Sequence, residues 1–500
     1  MKFIIKRTLL FHGFALQYNN HLNLKKNNKL SSYLVLTLVP ALIIIFTRAF
    51  GFDGLYGQDS YEYLRYSNAL YNAFNGGESA GDYFWPLYYP LLGAIANFLF
   101  GNMVITLSLI NFISLIISSV YLFKIIYLLY DSTEYALHFI ILFFTLSPSI
   151  LVLSVVIMSD LLSTCFIILT IYHTLKFNKQ TLTTSLYYAA VFAISAIMTR
   201  YASFVVLLPF GFLILIKLLK TKRKLIHLIP ILIILCILSI PHFYIRSENV
   251  SKFLNHDWLQ QWSFLNFYKS EFNTIDGVSY NKLPNIIYAF YNAFHPKYLS
   301  IGIVLIVAIV FKKLKYKTNK TLLISYVLYS LFLAGIPFQN FRFLVLSFGL
   351  TLILLFPVFQ SLTIKISAHN KIRNSIFAFI LLIQIFLCYY VFQPFYLRNK
   401  LEKNIVSLIK PYQNNTLYSF DIDVALKGRA LNFDYKNMWV ERYNEFNSNS
   451  MVLFNPDKFK MQWKDKNPML NWENMKYNYN LKLIEKGPQG WKLYEIKSKK

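Results

Sequence analysis

Residues 51–92 read GFDGLYGQDSYEYLRYSNALYNAFNGGESAGDYFWPLYYPLL, and this stretch governs how the rest of the chain is read. It follows the first long apolar run and carries Asp53, Asp59, Glu62, Glu78 and Asp82. Carboxylates are costly near lipid and are kept there with a partner or a role. From Tyr61 to Phe74, the positions Tyr63, Tyr66, Leu70, Ala73 and Phe74 recur at helical spacing. That predicts an amphipathic helix lying along a membrane surface, ended by Asn75-Gly76-Gly77. A second short helix is expected to begin after Pro86 or Pro90 and to stop near Gly101.

Outward from this stretch the chain is a series of apolar runs. Of its 500 residues 56% are apolar and only 15% charged, and the runs are continuous rather than alternating, which argues for membrane helices and against a β-barrel. Hydropathy predicts about eleven spans, at roughly 32–50, 102–123, 135–153, 160–176, 182–199, 201–219, 225–245, 298–311, 321–337, 342–360 and 374–397. With the N-terminus inside, the clusters at Lys124, Lys176–Lys179, Lys217–Lys224, Lys312–Lys320 and Lys365–Arg373 all fall inside, as the positive-inside rule asks. Residues 51–101, the turns before Asp160, at Arg200 and at Phe338–Arg342, the loop 246–297 and the tail after 397 then fall outside. Asp53, Asp59, Asp160, Arg200, Arg246 and Arg342 gather on that outer face. Scattered structural charges would not converge so, and a site at the outer membrane–water boundary is expected.

The net charge of +27 is accounted for by these short basic loops, so no nucleic-acid partner is inferred. Cys165, Cys236 and Cys388 sit inside apolar runs, with neither metal-type spacing nor a disulfide framework. Residues 1–31 read as a basic cytoplasmic tail, since Lys6 and Arg7 break the apolar stretch a signal peptide would need. Residues 32–397 form the membrane domain. Its large outer loop, 246–297, is rich in aromatic residues (HDWLQQWSFLNFY) suited to the headgroup layer. Residues 398–500 are polar, with strand-like pieces at Thr416–Phe420, Met451–Phe454, Leu481–Ile484 and Trp491–Ile496; they predict a small extracytoplasmic α/β domain.

Several segments in order carry a resemblance. Asp59-Ser60-Tyr61 opens the interfacial helix, and Trp85-Pro86-Leu87-Tyr88-Tyr89-Pro90 follows it. Met158-Ser159-Asp160, Thr199-Arg200-Tyr201, the exit PHFYIR (Pro241–Arg246) and Asn340-Phe341-Arg342-Phe343 come after. In this order and on one face they resemble the GT-C superfamily of membrane glycosyltransferases. The nearer likeness is to the branch with the protein O-mannosyltransferases and the lipid A aminoarabinose transferases. Relatives often carry a second acid where Ser60 stands. The resemblance implies an all-α polytopic GT-C-like fold in the plasma (inner) membrane, with the site and the C-terminal domain on the outer face. It implies a polyprenyl-phosphate sugar as donor, a glycan, lipid or protein as acceptor, and inversion at the anomeric carbon.

That reaction needs a base for the acceptor's proton and positive charge for the departing phosphate. Asp59 is the candidate base. Asp160, Glu62, Tyr61, Trp85 and Tyr88 are candidates for contact with substrate or acceptor, and Arg200, Arg342, Arg246 and His242 for contact with the lipid phosphate. Blander readings stand beside these. Asp59 with Glu62 three residues on has the form of a capping box. Asp160 could cap its own span, and the arginines could simply snorkel to headgroups. No Asp-x-Asp pair flanks the first outer turns, so a metal-independent mechanism is favoured over one in which Asp160 helps hold a divalent ion, and no other cofactor is expected. A transporter or flippase for lipid-linked sugars, or a non-catalytic assembly subunit, remains the alternative. Transporters, however, show repeats and broken helices at the midplane, which these spans do not display.

Overall fold

The computed structural model describes residues 30–500 apart from 82, 221–223, 246–256, 275–276, 281–282, 313–318, 338, 367–369 and 461–462. Nearly all of the basic tail, together with Asp82 and Arg246, lies outside the described residues. The chain is a multi-pass helical membrane protein with a small C-terminal sheet. In order, its first elements are α1 (Leu30–Ala49), α2 (Gly57–Phe74), α3 (Tyr88–Phe100), α4 (Met103–Tyr130), α5 (Glu134–Ile140) and α6 (Pro148–Val155). Next come α7 (Asp160–Gln180), α8 (Thr183–Thr199), α9 (Ser203–Leu219) and α10 (Lys224–Ile245). The large outer loop holds α11 (Asp257–Gln260), the hairpin β1 (Glu271–Thr274) and β2 (Gly277–Tyr280), and α12 (Asn285–Tyr288). Then follow α13 (Gly302–Lys312), α14 (Lys320–Ala334), α15 (Val345–Ile366) and α16 (Asn370–Ile409).

Each expected span falls on a helix, but length alone does not reach the count of about eleven. Among the described residues six helices are long and apolar enough to cross a membrane, and α5 with α6 makes a seventh if that pair, bent by 63°, is one span. The other four expected spans fall on α8, α9, α13 and α14, which have 17, 17, 11 and 15 residues. A bilayer asks for about 20. The apolar residues that α10 and α16 leave exposed, such as Leu232, Ile237, Leu382 and Phe386, are what lipid would cover.

The bend between α5 and α6 shows how a broken helix survives in an apolar medium. A π-helical turn, Ile141–Thr145, loosens the ladder, and backbone groups freed there need partners because no water can serve them. The fully buried Gln384 of α16 supplies its side-chain amide to the carbonyls of Leu142 (2.5 Å) and Leu146 (3.3 Å). The thiol of Cys388, one turn on, reaches Leu146 at 3.1 Å.

Beyond residue 397 α16 runs on without a break to Ile409 and leads into the C-terminal sheet. The strands are β3 (Thr416–Ser419), β4 (Asp434–Asn437), β5 (Met451–Phe454), β6 (Tyr479–Lys486) and β7 (Lys492–Lys499), in the order β4-β3-β5-β7-β6. β3 is parallel to β4 and β5, while β7 is antiparallel to β5 and β6. The helices α17 (Asp423–Gly428), α18 (Pro456–Phe459) and α19 (Asn467–Asn478) complete the domain. Two large apolar cores result. One fills the helical bundle. The other joins the first outer loop to the sheet domain, with Tyr61, Tyr63 and Leu64 of α2 in one cluster with Leu401, Leu426 and Trp491. The contact is close: a Cβ on Gly428 would lie 2.2 Å from the Tyr61 ring.

Two outcomes follow from this packing. Gln384→Leu keeps the volume but strands two buried carbonyls, so it is expected to cost about 1–3 kcal/mol, read as a lower melting temperature of the purified protein. Gly428→Ala has no room beside Tyr61 and is expected to loosen the C-terminal domain from the first loop. Faster limited proteolysis after residue 409, with the bundle intact, is the readout.

Candidate active site

The first outer loop is strapped to the start of α7 by its backbone. Gly54 has φ +90°, and a Cβ there would stand 3.0 Å from the Val155 carbonyl, so this close approach needs glycine. The Gly54 carbonyl accepts the Ile157 amide at 2.9 Å. Three residues later α2 begins. Its N-cap is Tyr56, which makes no side-chain cap bond, and the Ser60 hydroxyl binds back to the Tyr56 carbonyl. Asp59 therefore lies inside the first turn and does not cap the helix, so the capping-box reading fails. An acid in that turn is favoured by the helix dipole, and its side chain is left for other partners.

Those partners form an ionic chain. Asp59 Oδ2 accepts from Arg342 Nη1 at 2.5 Å. The second arm of Arg342, Nη2, donates to Asp160 Oδ2 at 2.8 Å. Asp160 Oδ1 accepts from Arg200 Nη1 at 2.6 Å. Asp160 is fully buried with both oxygens taken, whereas the Asp59 side chain is 31% exposed. Among the described residues Asp59 Oδ1 has no hydrogen-bond partner, and neither do Nε and Nη2 of Arg200. Asp160 is the first residue of α7, and the preceding Ser159 makes no cap bond; its hydroxyl is shared with that of Tyr63 on α2 at 2.7 Å. Four charges from four segments far apart in sequence thus meet and sum to zero.

The two arginines are held by their own surroundings. Asn340 Oδ1 accepts the Arg342 amide at 3.0 Å, closing a tight turn. The hydroxyl of Tyr298 donates to the Phe341 carbonyl, and that of Tyr329 to the Phe343 carbonyl at 2.8 Å, so the carbonyls of the residues on either side of Arg342 are pinned. Arg200 ends α8 in extended conformation, and its guanidinium lies 5.5 Å from the centre of the Phe343 ring.

The remaining candidates are more scattered. Trp85 packs on Tyr63 at 5.4 Å between ring centres, one layer behind the ionic chain. Tyr88 is buried, with its hydroxyl on the Leu238 carbonyl. His242 shares a hydrogen bond with Tyr201, the neighbour of Arg200, at 3.0 Å. Glu62 forms a surface pair with Arg65 one turn along α2. Tyr61 turns away from Asp59 and binds Glu402 and Arg429 (3.1 Å). One cation escapes the sequence reading: Lys297, whose ammonium lies 4.5 Å over the ring of Phe341, next to Arg342. Among the described residues it has no ion-pair partner. Its neighbour His295 is pushed down to about 4 by burial and by Lys297, so it is neutral at pH 7. No motif marks Lys297, since it closes a long polar and aromatic loop. Among the described residues no three His, Cys, Asp or Glu side chains gather into a metal-ligating group.

A second ionic cluster latches the sheet domain to the loop. Asp53 Oδ1 accepts the Leu55 amide at 3.0 Å, as its place in a turn suggests. Asp53 also accepts from Asn399 (2.5 Å), Arg429 (2.7 Å) and Lys403 (3.2 Å). Burial pushes the Asp53 carboxyl up, but Arg429, Asn399 and the Leu55 amide outweigh it and hold the group at about 2. Glu402, also buried, pairs with Arg398 at 2.8 Å and Arg429 at 3.6 Å.

With this geometry in place, the chain can be compared with known proteins. The family model described as dolichyl-phosphate-mannose-protein mannosyltransferase matches residues 85–245. No match is found among curated proteins. Among solved structures, ArnT from Cupriavidus metallidurans bound to undecaprenyl phosphate is similar at a TM-score of 0.58 and 12% identity, covering 92% of this chain and 97% of that one. The apo state of the same protein gives 0.54 and 12%, covering 93% and 98%. The Archaeoglobus fulgidus oligosaccharyltransferase, tethered to an acceptor peptide, gives 0.50 and 11%, covering 94% of this chain and 74% of that one. The chain thus shares the fold of these ArnT and oligosaccharyltransferase structures, and the family match over residues 85–245 is a resemblance in sequence beside it.

Asp160→Asn would leave two guanidiniums facing one another without their shared anion. The expected cost is about 3–5 kcal/mol, measured as thermal stability of the purified protein. The latch carries a pH signature. A carboxyl lowered from 3.8 to about 2 on folding contributes about 2 kcal/mol above roughly pH 4, lost as the pH falls towards 2. Asp53→Asn is therefore expected to speed release of the C-terminal domain by acid-tolerant protease at neutral pH, and the difference from wild type to close as the pH approaches 2.

Proposed function

We propose that the protein transfers a sugar from a polyprenyl-phosphate donor to a hydroxyl or amine of an outer-face glycan, glycolipid or protein, in the plasma membrane. The observation that carries this is the ionic chain Asp59–Arg342–Asp160–Arg200 at the mouth of a GT-C fold. ArnT of that fold is known bound to undecaprenyl phosphate, which supports a lipid phosphate as the donor's carrier.

In this reading Asp59 is the base. Arg342 grips one carboxylate oxygen and turns the other, Oδ1, outward, where an acceptor X–H can hand over its proton. As X bonds to the anomeric carbon, the bond from that carbon to the phosphate oxygen breaks, and the electron pair leaves with the lipid phosphate. The phosphate gains negative charge and needs positive groups already in place. The open nitrogens of Arg200 and the ammonium of Lys297 supply them, while Asp160 is spent on orienting both arginines. A single displacement inverts the anomeric carbon. Trp85, half-buried and backed by Tyr63, gives an aromatic face on which a sugar can stack. With the site outside, the N-terminus is cytoplasmic.

The test uses a null strain carrying wild type or Asp59→Asn at matched membrane levels. Masses of the outer-surface glycans and glycolipids are compared. Loss of one sugar unit in the variant is expected, and its mass names the sugar; the rate in purified membranes should fall at least about a hundredfold. Unchanged glycans with Asp59→Asn would remove Asp59 as the base. Lys297→Ala is expected to lower the rate with donor saturating by less than Asp59→Asn does, and to raise the KM for the lipid-linked donor.

A further inference from the structure

The two ends of the bundle differ in charge. Asp160 opens α7, and Lys176 stands 16 residues on, which places it about 24 Å further along the helix axis. Lys124 stands 16 residues along α4 from Ser108, which binds Arg48 at the outer end of α1. Both lysines therefore sit near the headgroup layer on the face opposite Asp59. A lysine at such a depth ordinarily stretches towards water. These two instead lie across a floor of tyrosines. The Lys124 ammonium is 4.3 Å from the centre of the Tyr121 ring and 5.8 Å from that of Tyr33 on α1. The Lys176 ammonium is 5.9 Å from Tyr172. Tyr121 and Tyr172 meet edge to face with centres 5.0 Å apart, so the two cations share one aromatic cluster.

We propose that this cluster, where α1, α4 and α7 come together, binds the phosphate of an anionic membrane lipid. Among the described residues neither lysine has an ion-pair partner, and the hydroxyls of Tyr121 and Tyr172 make no hydrogen bond. Two ammonium groups and two phenol hydroxyls can all donate without a partner among the described residues, and a phosphodiester offers the charged acceptor they lack. Beside them His173, 9% exposed, packs on Tyr172 with ring centres 5.1 Å apart and has a buried Nδ1 without a partner. The occupant is a lipid rather than a free anion because an acyl path leads away from the cluster. Leu34, Leu38 and Leu42 of α1 form an exposed stripe at four-residue spacing that starts beside Tyr33 and runs towards the bilayer centre.

The test is native mass spectrometry of the full-length protein after detergent exchange, titrated with phosphatidylglycerol or phosphatidylcholine. Wild type is expected to hold phosphatidylglycerol at least about tenfold more tightly. K124Q/K176Q should lose that preference and K124R/K176R keep it, each with an unchanged melting temperature before lipid is added. Equal preference in the glutamine variant, or none in wild type, overturns the proposal. Millimolar inorganic phosphate should not displace the lipid; if it does, the site serves a soluble anion and the lipid assignment fails.

Discussion

The arrangement of the ionic chain depends on one guanidinium. Arg342 bridges a part-exposed carboxylate and a buried one, and without it Asp59 and Asp160 would repel each other. A buried ion pair is not a stability device in itself, since desolvation consumes much of the Coulomb gain. What such a bridge provides is placement. Each charge is fixed by partners from other segments, so the first loop, α7, the end of α8 and the start of α15 cannot drift independently. Arg342 can do this because it presents a planar fork with arms for two anions, which a lysine lacks. The tyrosines that hold its flanking carbonyls extend the same constraint into the bundle.

The second determinant is the core that the first loop shares with the sheet domain. The interfacial helix α2 is clamped from below by the ionic chain and from above by the sheet domain, through Tyr61, Gly428 and the Asp53–Arg429 pair. An amphipathic helix that merely floated on lipid would hold its acid loosely. Here both faces are occupied, and the apolar face that suggested contact with lipid is largely spent on protein. The C-terminal domain is thus structurally part of the site's support, although none of its described residues joins the ionic chain.

Much of this was legible in the sequence. Apolar runs gave the helices, and the placing of Asp59, Asp160, Arg200 and Arg342 on one face emerged from charge bookkeeping along the spans. Their mutual pairing did not, because no local pattern tells which arginine, 40 or 283 residues away, reaches which acid. The strand β4 escaped notice because Asp434–Asn437 is a polar edge strand with no apolar alternation. Tyr61 looked like a site residue because it lies two residues from Asp59, but two steps around a helix change direction by about 200°, and that turns it to the sheet domain. Lys297 was invisible for the opposite reason: it lies at the end of a long loop, where sequence gives no sense of place.

Its place is nonetheless exact. The break between α5 and α6 turns out two serines, Ser147 and Ser149, whose hydroxyls donate to the carbonyls of Tyr298 (2.9 Å) and Lys297 (2.8 Å), and the Ser149 amide adds a bond to the Lys297 carbonyl at 2.9 Å. A lysine on a free loop surrenders backbone entropy each time it closes on an anion. This backbone surrendered it once, during folding, to a defect in a neighbouring helix. The interrupted span thus acts as a jig: disorder tolerated in one element becomes tolerance control in another, and the loop cation inherits the rigidity of the bilayer-embedded scaffold.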